Sequence, residues 1–188
     1  DSATYMDTEG IRRNILGVTV GVVETTLKAV SRTIDQLLHR PAEMQKATEA
    51  ARRHDDAMML KYAFEAMRFN PQNHVIYRWC EMPYILAEGT DRATAVPANS
   101  LVFAATLSAM FDSGKVSDPE VFKPDRPDDN YLFFGYGLHA CLGRHLGPML
   151  IREVVKRVLT LPNLRRAQDD GFDPLDLLPR HFMLEFDR

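Results

Sequence analysis

An apolar stretch over 15–23, closed off by Glu24 and Lys28, sits inside a longer run, 8–39, with neither a proline nor a strong helix stop before Pro41. This pattern predicts one long helix. Asp7 or Thr8 caps its start, and Glu9 lies favourably against the dipole in the first turn. At 1.5 Å per residue such a helix is on the order of 45 Å long, enough to cross a whole domain. Pro41 suits the first turn of a second helix over 42–53, which is rich in good helix formers. Asp55 and Asp56 cap a third over 55–69, with Met58, Met59, Ala63 and Met67 on its apolar face and Pro71 ending it.

The texture changes over 74–105. Short β-branched and aromatic runs (75–79, 101–103) alternate with turn residues such as Glu88-Gly89 and Pro97-Ala98-Asn99, which predicts small antiparallel strands. Ser117-Asp118-Pro119 is expected to start a brief helical turn before a proline- and aspartate-rich loop over 123–130. The glycine-punctuated, aromatic segment 133–143 leads directly into a predicted helix over 142–159 carrying Arg144, Arg152, Lys156 and Arg157. The tail reads as strand pairs ending in the alternation of Phe182, Met183, Leu184, Glu185 and Phe186. The fold class is therefore mainly α with small antiparallel β-sheets, without an internal repeat.

Composition narrows the function classes. The 188 residues are 45% hydrophobic and 26% charged, which excludes disordered, collagenous and low-complexity chains. With 23 basic against 26 acidic residues, a net charge of −3, there is no global basic field to hold nucleic acid. The stretch 15–23 is too short to span a bilayer. Cys80 and Cys141 are too few for a disulfide scaffold and lack the spacing of a zinc site. The reducing cytosol is the expected location.

The strongest chemical signal is Phe134-Gly135-Tyr136-Gly137-Leu138-His139-Ala140-Cys141-Leu142-Gly143. Gly135 and Gly137 permit backbone conformations and close approaches that side chains would block. They present Cys141 at the expected start of a helix, whose dipole favours an anionic sulfur. Beside a flat aromatic-lined surface, such a sulfur suits the axial position of a haem iron. A lone cysteine is usually buried and inert. Six specified positions, each with ordinary usage of a few per cent, make coincidence on the order of one in a million or less.

This segment resembles the haem-binding loop of the cytochrome P450 family, F-G-x-G-x-[HR]-x-C-x-G. The resemblance implies that Cys141 ligates the iron of haem b, with Phe134, Gly135, His139 and Gly143 also around the cofactor and His139 donating to a propionate. Glu65-Ala66-Met67-Arg68 is similar to the family's E-x-x-R. On its own this spacing carries little, since average charged content gives about one such match per chain of this length. Its place on an apolar helix ended by Asn70-Pro71, upstream of the strands and the cysteine loop, carries more. The bland reading of the pair is a surface ion pair worth a few tenths of a kcal/mol. Arg126 matches the arginine that completes the family's Glu-Arg-Arg network, a structural role for Glu65, Arg68 and Arg126. Arg78 stands where similar bacterial proteins carry a propionate-binding arginine.

The long first helix matches the family's distal helix, and Glu24-Thr25 resembles its acid–alcohol pair, which delivers protons beside dioxygen. One departure is plain. Gly21 fills the first place of the family's small-residue pair, but Val22 fills the second, making a helix kink less easy and the oxygen groove tighter. The expected activity is monooxygenation of a small or lipophilic organic substrate, with a ferredoxin- or flavoprotein-type electron donor docking near Arg144, His145, Arg152 and Arg157. The alternative, supported by Val22, is isomerisation or peroxide-driven oxidation of a lipid hydroperoxide. Val75 and Ile76 are expected either to line the substrate pocket or to pack in the core. The resemblance covers Thr8 to the C-terminus but only the family's C-terminal half, and the chain starts at Asp1. The chain is thus expected to be incomplete as a stand-alone domain, with the family's N-terminal half as its natural complement. A catalytically silent haem-binding or interaction fragment is the third expectation.

Overall fold

The long apolar run forms α1, Thr8–Leu38, in a computed structural model that describes residues 6–168 and 181–187. The Asp7 carboxylate accepts the Gly10 N–H at 2.7 Å and so caps the first turn. The two ends of α1 differ. Ile15, Leu16 and Val23 are each more than 60% exposed, whereas every residue from Lys28 to Asp35 is buried. Eight consecutive buried positions cover all faces of a helix, so the C-terminal part of α1 is surrounded.

What surrounds it are α2 (Pro41–Arg52), α3 (Asp56–Phe69) and α5 (Gly147–Leu159). Leu37, Met59, Met67, Val155 and Leu159 meet at the centre, and Ala47, Ala50 and Ala63 allow close helix approach. Asp55 caps α3 by accepting the Met58 N–H at 3.0 Å. At the other end of the bundle the buried Asp35 carboxylate takes the Arg166 guanidinium at 2.8 Å, tying the tail to α1.

The strands are short and antiparallel. β1 (Ile76–Cys80) pairs with β4 (Ser100–Ala104) from Ile76↔Ala104 to Cys80↔Ser100. Nested between them, β2 (Tyr84–Leu86) pairs with β3 (Thr94–Val96). β5 (Arg165–Arg166) meets β6 (Leu184–Glu185). No helix of the described residues is long and apolar enough to cross a membrane.

Four local expectations change. The helix expected from residue 142 begins only at Gly147; before it, residues 142–144 form a single 3-10 turn. Pro148 fits only the first turn of a helix, so the chain reaches α5 through that tighter turn. No helical turn starts at Ser117; Asp118 instead takes a positive φ of 44° within a run of turns. A short helix, α4 (Thr106–Met110), appears where none was expected. In the tail, the alternation over 182–186 yields only the two-residue β6, and the remainder of the expected strand pairs falls on residues outside those described.

The basic face of α5 is also less free than its sequence implies. Lys156 bonds Asp56 at 2.6 Å and Glu153 at 3.2 Å, and Arg152 lies 3.3 Å from Asp56 and 2.8 Å from Glu153. The hydrogen bond from Lys156 holds the Asp56 carboxyl below its usual range, and the same bond raises the Lys156 ammonium. A lowered carboxyl pKa stabilises the fold above the unfolded carboxyl value of about 4, and this stabilisation fades as pH falls through the lower folded value. The raised ammonium acts in the mirror sense at alkaline pH. Lys156→Met should therefore lower the melting temperature at neutral pH, and the gap to the parent should close in acid. Thermal melts across pH check this; a gap that persists well below the carboxyl range would contradict it.

Candidate active site

The site is built on a buried ionic knot. Glu65 and Arg68, three residues apart on α3, form two parallel bonds: Arg68 Nε donates to Oε2 at 2.9 Å and Nη2 to Oε1 at 2.8 Å. Arg126 Nε reaches the same Oε1 at 3.0 Å, as does the Lys123 backbone N–H at 2.8 Å. All three side chains are buried. The bland expectation of a surface ion pair at Glu65-Arg68 is thereby overturned. The guanidiniums have further acceptors. Arg68 bonds the carbonyls of Met110 and Pro119 at 3.1 and 2.8 Å, and Arg126 those of Ser117, Asp118 and Val121 between 2.6 and 2.8 Å. Tyr131 donates its hydroxyl to Glu65 Oε2 at 3.3 Å. Burial, reinforced by the Glu65 carboxylate, pushes the phenol far up, so it remains a donor.

This knot fixes the loop that follows. Phe64 of α3 meets the rings of Tyr131, Phe133 and Phe134 at 5.5, 5.3 and 6.2 Å. From there the chain turns sharply: Gly135 and Gly137 have φ of +67° and +66°, a region that side chains rarely adopt. The Cys141 N–H donates to the Phe134 carbonyl at 2.7 Å, closing the loop. Cys141 Sγ accepts the Gly143 N–H at 3.3 Å and is otherwise exposed. Because α5 starts at Gly147, the sulfur is held by this one N–H of a 3-10 turn, not by the start of a long helix as the sequence suggested.

A cavity of about 620 Å³ separates the loop from α1. Gly21, Val22 and Thr25 face Phe134, Cys141 and Gly143 across it. Tyr136, Leu138 and Leu142 of the same loop are all more than 80% exposed, leaving apolar surface uncovered around the cysteine loop. Among the described residues no group of three or more His, Cys, Asp or Glu could hold a metal ion. A single sulfur at an apolar slot fits a group that brings its own equatorial ligands and needs one axial bond, which is what haem requires.

The cavity gathers some of the expected residues and leaves out others. Thr25 lines it and donates its hydroxyl to the Gly21 carbonyl within an unbroken helix. Glu24 is not in the lining; its carboxylate is bound by the buried Lys28 at 2.6 Å. His139 lies in the tight turn 137–139, outside the lining. Arg78 is exposed on β1 and bonds the Tyr77 carbonyl at 2.9 Å. Val75 and Ile76 also lie outside the lining, and Val75 is exposed. The loop residue that does line the cavity is Gln72, which sequence reasoning missed. Its position directly after the helix-ending Pro71 was the available signal.

A second cavity, about 600 Å³, lies behind Phe134, which lines both. Lys61, Arg144 and His145 line it with Phe64 and Tyr131.

The sequence model of the family described as Cytochrome P450 matches residues 1–181. The chain belongs to the cytochrome P450 family. Among P450 relatives, a steroid C26-monooxygenase of Mycobacterium tuberculosis is 29% identical over 181 residues, 93% of this chain and 42% of that protein. A bifunctional dioxygenase–epoxy alcohol synthase of Pyricularia oryzae is 34% identical over 112 residues, 60% of this chain and 10% of that protein. The Tepidiphilus thermophilus P450 heme domain superposes with a TM-score of 0.80 at 24% identity, covering 97% of this chain and 42% of that one. The chain thus spans less than half the length of these P450 relatives.

Proposed function

We propose that this chain carries the thiolate and distal-helix side of a haem-thiolate monooxygenase acting on a lipophilic or small organic substrate. The observation that carries the reading is Cys141 Sγ, exposed at an apolar cavity and faced by Gly21, Val22 and Thr25. Cys141 would hold the iron of haem b, with Phe134, Gly135 and Gly143 shaping the surface against the ring and Arg78 and His139 taking the propionates. When bound, the haem supplies the centre at which dioxygen is reduced and one oxygen atom is passed to substrate.

The chain's own residues handle the protons. The Thr25 hydroxyl gives its hydrogen to the Gly21 carbonyl, which leaves its lone pairs able to accept from a protonated group in the cavity. Glu24, one residue earlier and about two-fifths exposed, can take protons from solvent while Lys28 keeps its carboxylate in place. Electrons would come from an acidic ferredoxin- or flavoprotein-type donor at the surface around Lys61, Arg144 and His145. Arg152, already bound to Glu153 and Asp56, is a poor docking contact. A thiol ligand suits the reducing cytosol. The exposed Ile15, Leu16 and Val23 of α1 would be covered by the N-terminal half of such a fold.

The test is the absorption spectrum of the haem-loaded chain, reduced and bound to carbon monoxide. A strongly red-shifted Soret band is expected; an ordinary histidine- or water-type spectrum would overturn the reading.

Val22 in the cavity lining favours a second reading, in which the same site rearranges a lipid hydroperoxide without an electron donor. The similarity to a protein named as an epoxy alcohol synthase supports it. Thr25→Ala separates the two. For the monooxygenase, product formed per oxygen consumed should drop roughly tenfold or more, as expected when a positioned proton donor is removed. Unchanged coupling, with turnover on hydroperoxide alone, would select the rearrangement.

A further inference from the structure

The cavity behind Phe134 carries charges that the fold does not use. Its apolar walls are Leu60, Phe64, Pro124, Tyr131, Phe134 and Pro148, and the exposed Lys61, Arg144 and His145 stand among them. On nearby α5, Lys156 and Arg152 are both neutralised by Asp56 and Glu153. Lys61 and Arg144, by contrast, have no acidic partner among the described residues. Arg144 Nε donates to His145 Nε2 at 3.1 Å, which holds one edge of the guanidinium and leaves both terminal nitrogens as donors. Arg126 also lines the cavity but is bound to Glu65 at 3.0 Å. Asp128 is the one carboxylate among the described lining residues, so the cavity as a whole prefers an anion.

The rings set the shape. A Cβ on Gly147 would come within 3.1 Å of Phe134 Cε1 and 3.3 Å of Cζ, so glycine here lets the Phe134 ring lie against the start of α5. Held between Gly147 and Phe64, whose ring is 6.2 Å away, Phe134 is a fixed wall. A volume of about 600 Å³ is that of a small-molecule site. Aromatic walls select a flat ring, and a carboxylate matches the guanidinium fork with two parallel bonds.

We propose that this cavity binds an aromatic carboxylate, its ring against Phe64, Tyr131 and Phe134 and its carboxylate on Arg144, with Lys61 adding charge. Phe134 is the single residue shared with the cavity that Cys141 faces, so this ligand is distinct from the substrate of the proposed reaction. The same cations are assigned above to the electron donor. Ligand and acidic donor would therefore exclude one another, a consequence that, unlike the binding, rests on the haem-thiolate reading.

The probes are cinnamate and the neutral cinnamyl alcohol, titrated by calorimetry into the haem-loaded chain. Cinnamate should bind about tenfold more tightly, the scale of one charge-assisted hydrogen-bonded pair. Arg144→Gln should remove most of that preference, and Arg144→Lys, which keeps the charge but not the fork, only part of it. Ala57→Trp, at an exposed lining position, should abolish the preference without changing any charge. Equal binding of the two probes to the parent chain, or a preference that survives Arg144→Gln, would overturn the site. A preference that survives Ala57→Trp would show attraction to surface charge instead of occupancy of the cavity, and would overturn it too. The reduced carbon-monoxide spectrum of the same samples reports on the haem separately. A thiolate band without the preference removes this site alone; the preference without the band removes the haem assignment and leaves the site.

Discussion

Glu65→Ala should destabilise the chain by about 3–5 kcal/mol, the scale found when one member of a buried ion pair is removed. The carboxylate is fully buried and meets two guanidiniums, one backbone N–H and one phenol. Without it, Arg68 and Arg126 remain buried as two neighbouring positive charges. Their carbonyl acceptors satisfy hydrogen bonds but not charge. Arg68 also packs on Phe69 and Phe111, at 4.6 and 4.5 Å to the ring centres, and these two rings meet edge to face, so it cannot turn out to water without opening that packing. Urea-induced unfolding measures the loss. Tyr131→Phe, which removes only the longer 3.3 Å bond to a ligand-rich carboxylate, should cost about 1 kcal/mol or less. A Glu65→Ala loss no larger than that of Tyr131→Phe would show that the knot is not holding the fold.

The knot also explains why one carboxylate is needed so far from the cysteine. Its arginines gather the carbonyls of residues 117, 118, 119 and 121, and Tyr131 passes the constraint to Phe64 and the ring cluster beneath Phe134. The loop that carries the sulfur is thus positioned from α3 through these bonds and ring contacts.

How much of this can be read from residues alone differs by element. α1 and α3 have long periodic runs with capping aspartates at Asp7 and Asp55, and their bounds in the structure match the pattern to within a residue or so. The cysteine loop is legible because φ-positive turns demand glycine at 135 and 137. The start of α5 is not, because Leu142 and Gly143 suit a helix as well as a 3-10 turn, and only Pro148 sets the boundary. α4 has five residues, too few to show a period. The E-x-x-R spacing is visible, yet its burial depends on Lys123, Arg126 and Tyr131, about sixty residues away in sequence. Gln72 is marked in the sequence only by following the helix-ending Pro71; its place at the cavity depends on Arg32 and Thr106, which fix the loop from two distant elements.

Cys141→Ser should separate chemistry from stability completely. The substituted atom is one sulfur, exposed at the cavity and, among the described residues, bonded only through the Gly143 N–H at 3.3 Å. The Cys141 backbone N–H to the Phe134 carbonyl, which closes the loop, is untouched by the change. Unfolding of the haem-free chain should therefore shift by no more than about 0.5 kcal/mol, as for other surface substitutions. The spectrum should change without remainder: a hydroxyl in place of the thiol cannot donate comparable electron density to iron, so the red-shifted band should vanish and haem retention should weaken. Cys80→Ser is the matched control. Its sulfur bonds the Met82 carbonyl at the far end of β1, outside the cavity lining, and its loss should leave the band intact. A band that survived Cys141→Ser would place the axial ligand elsewhere in the chain. A large loss of stability in that variant would mean that the thiol is part of the loop's scaffold, against the geometry of its single hydrogen bond.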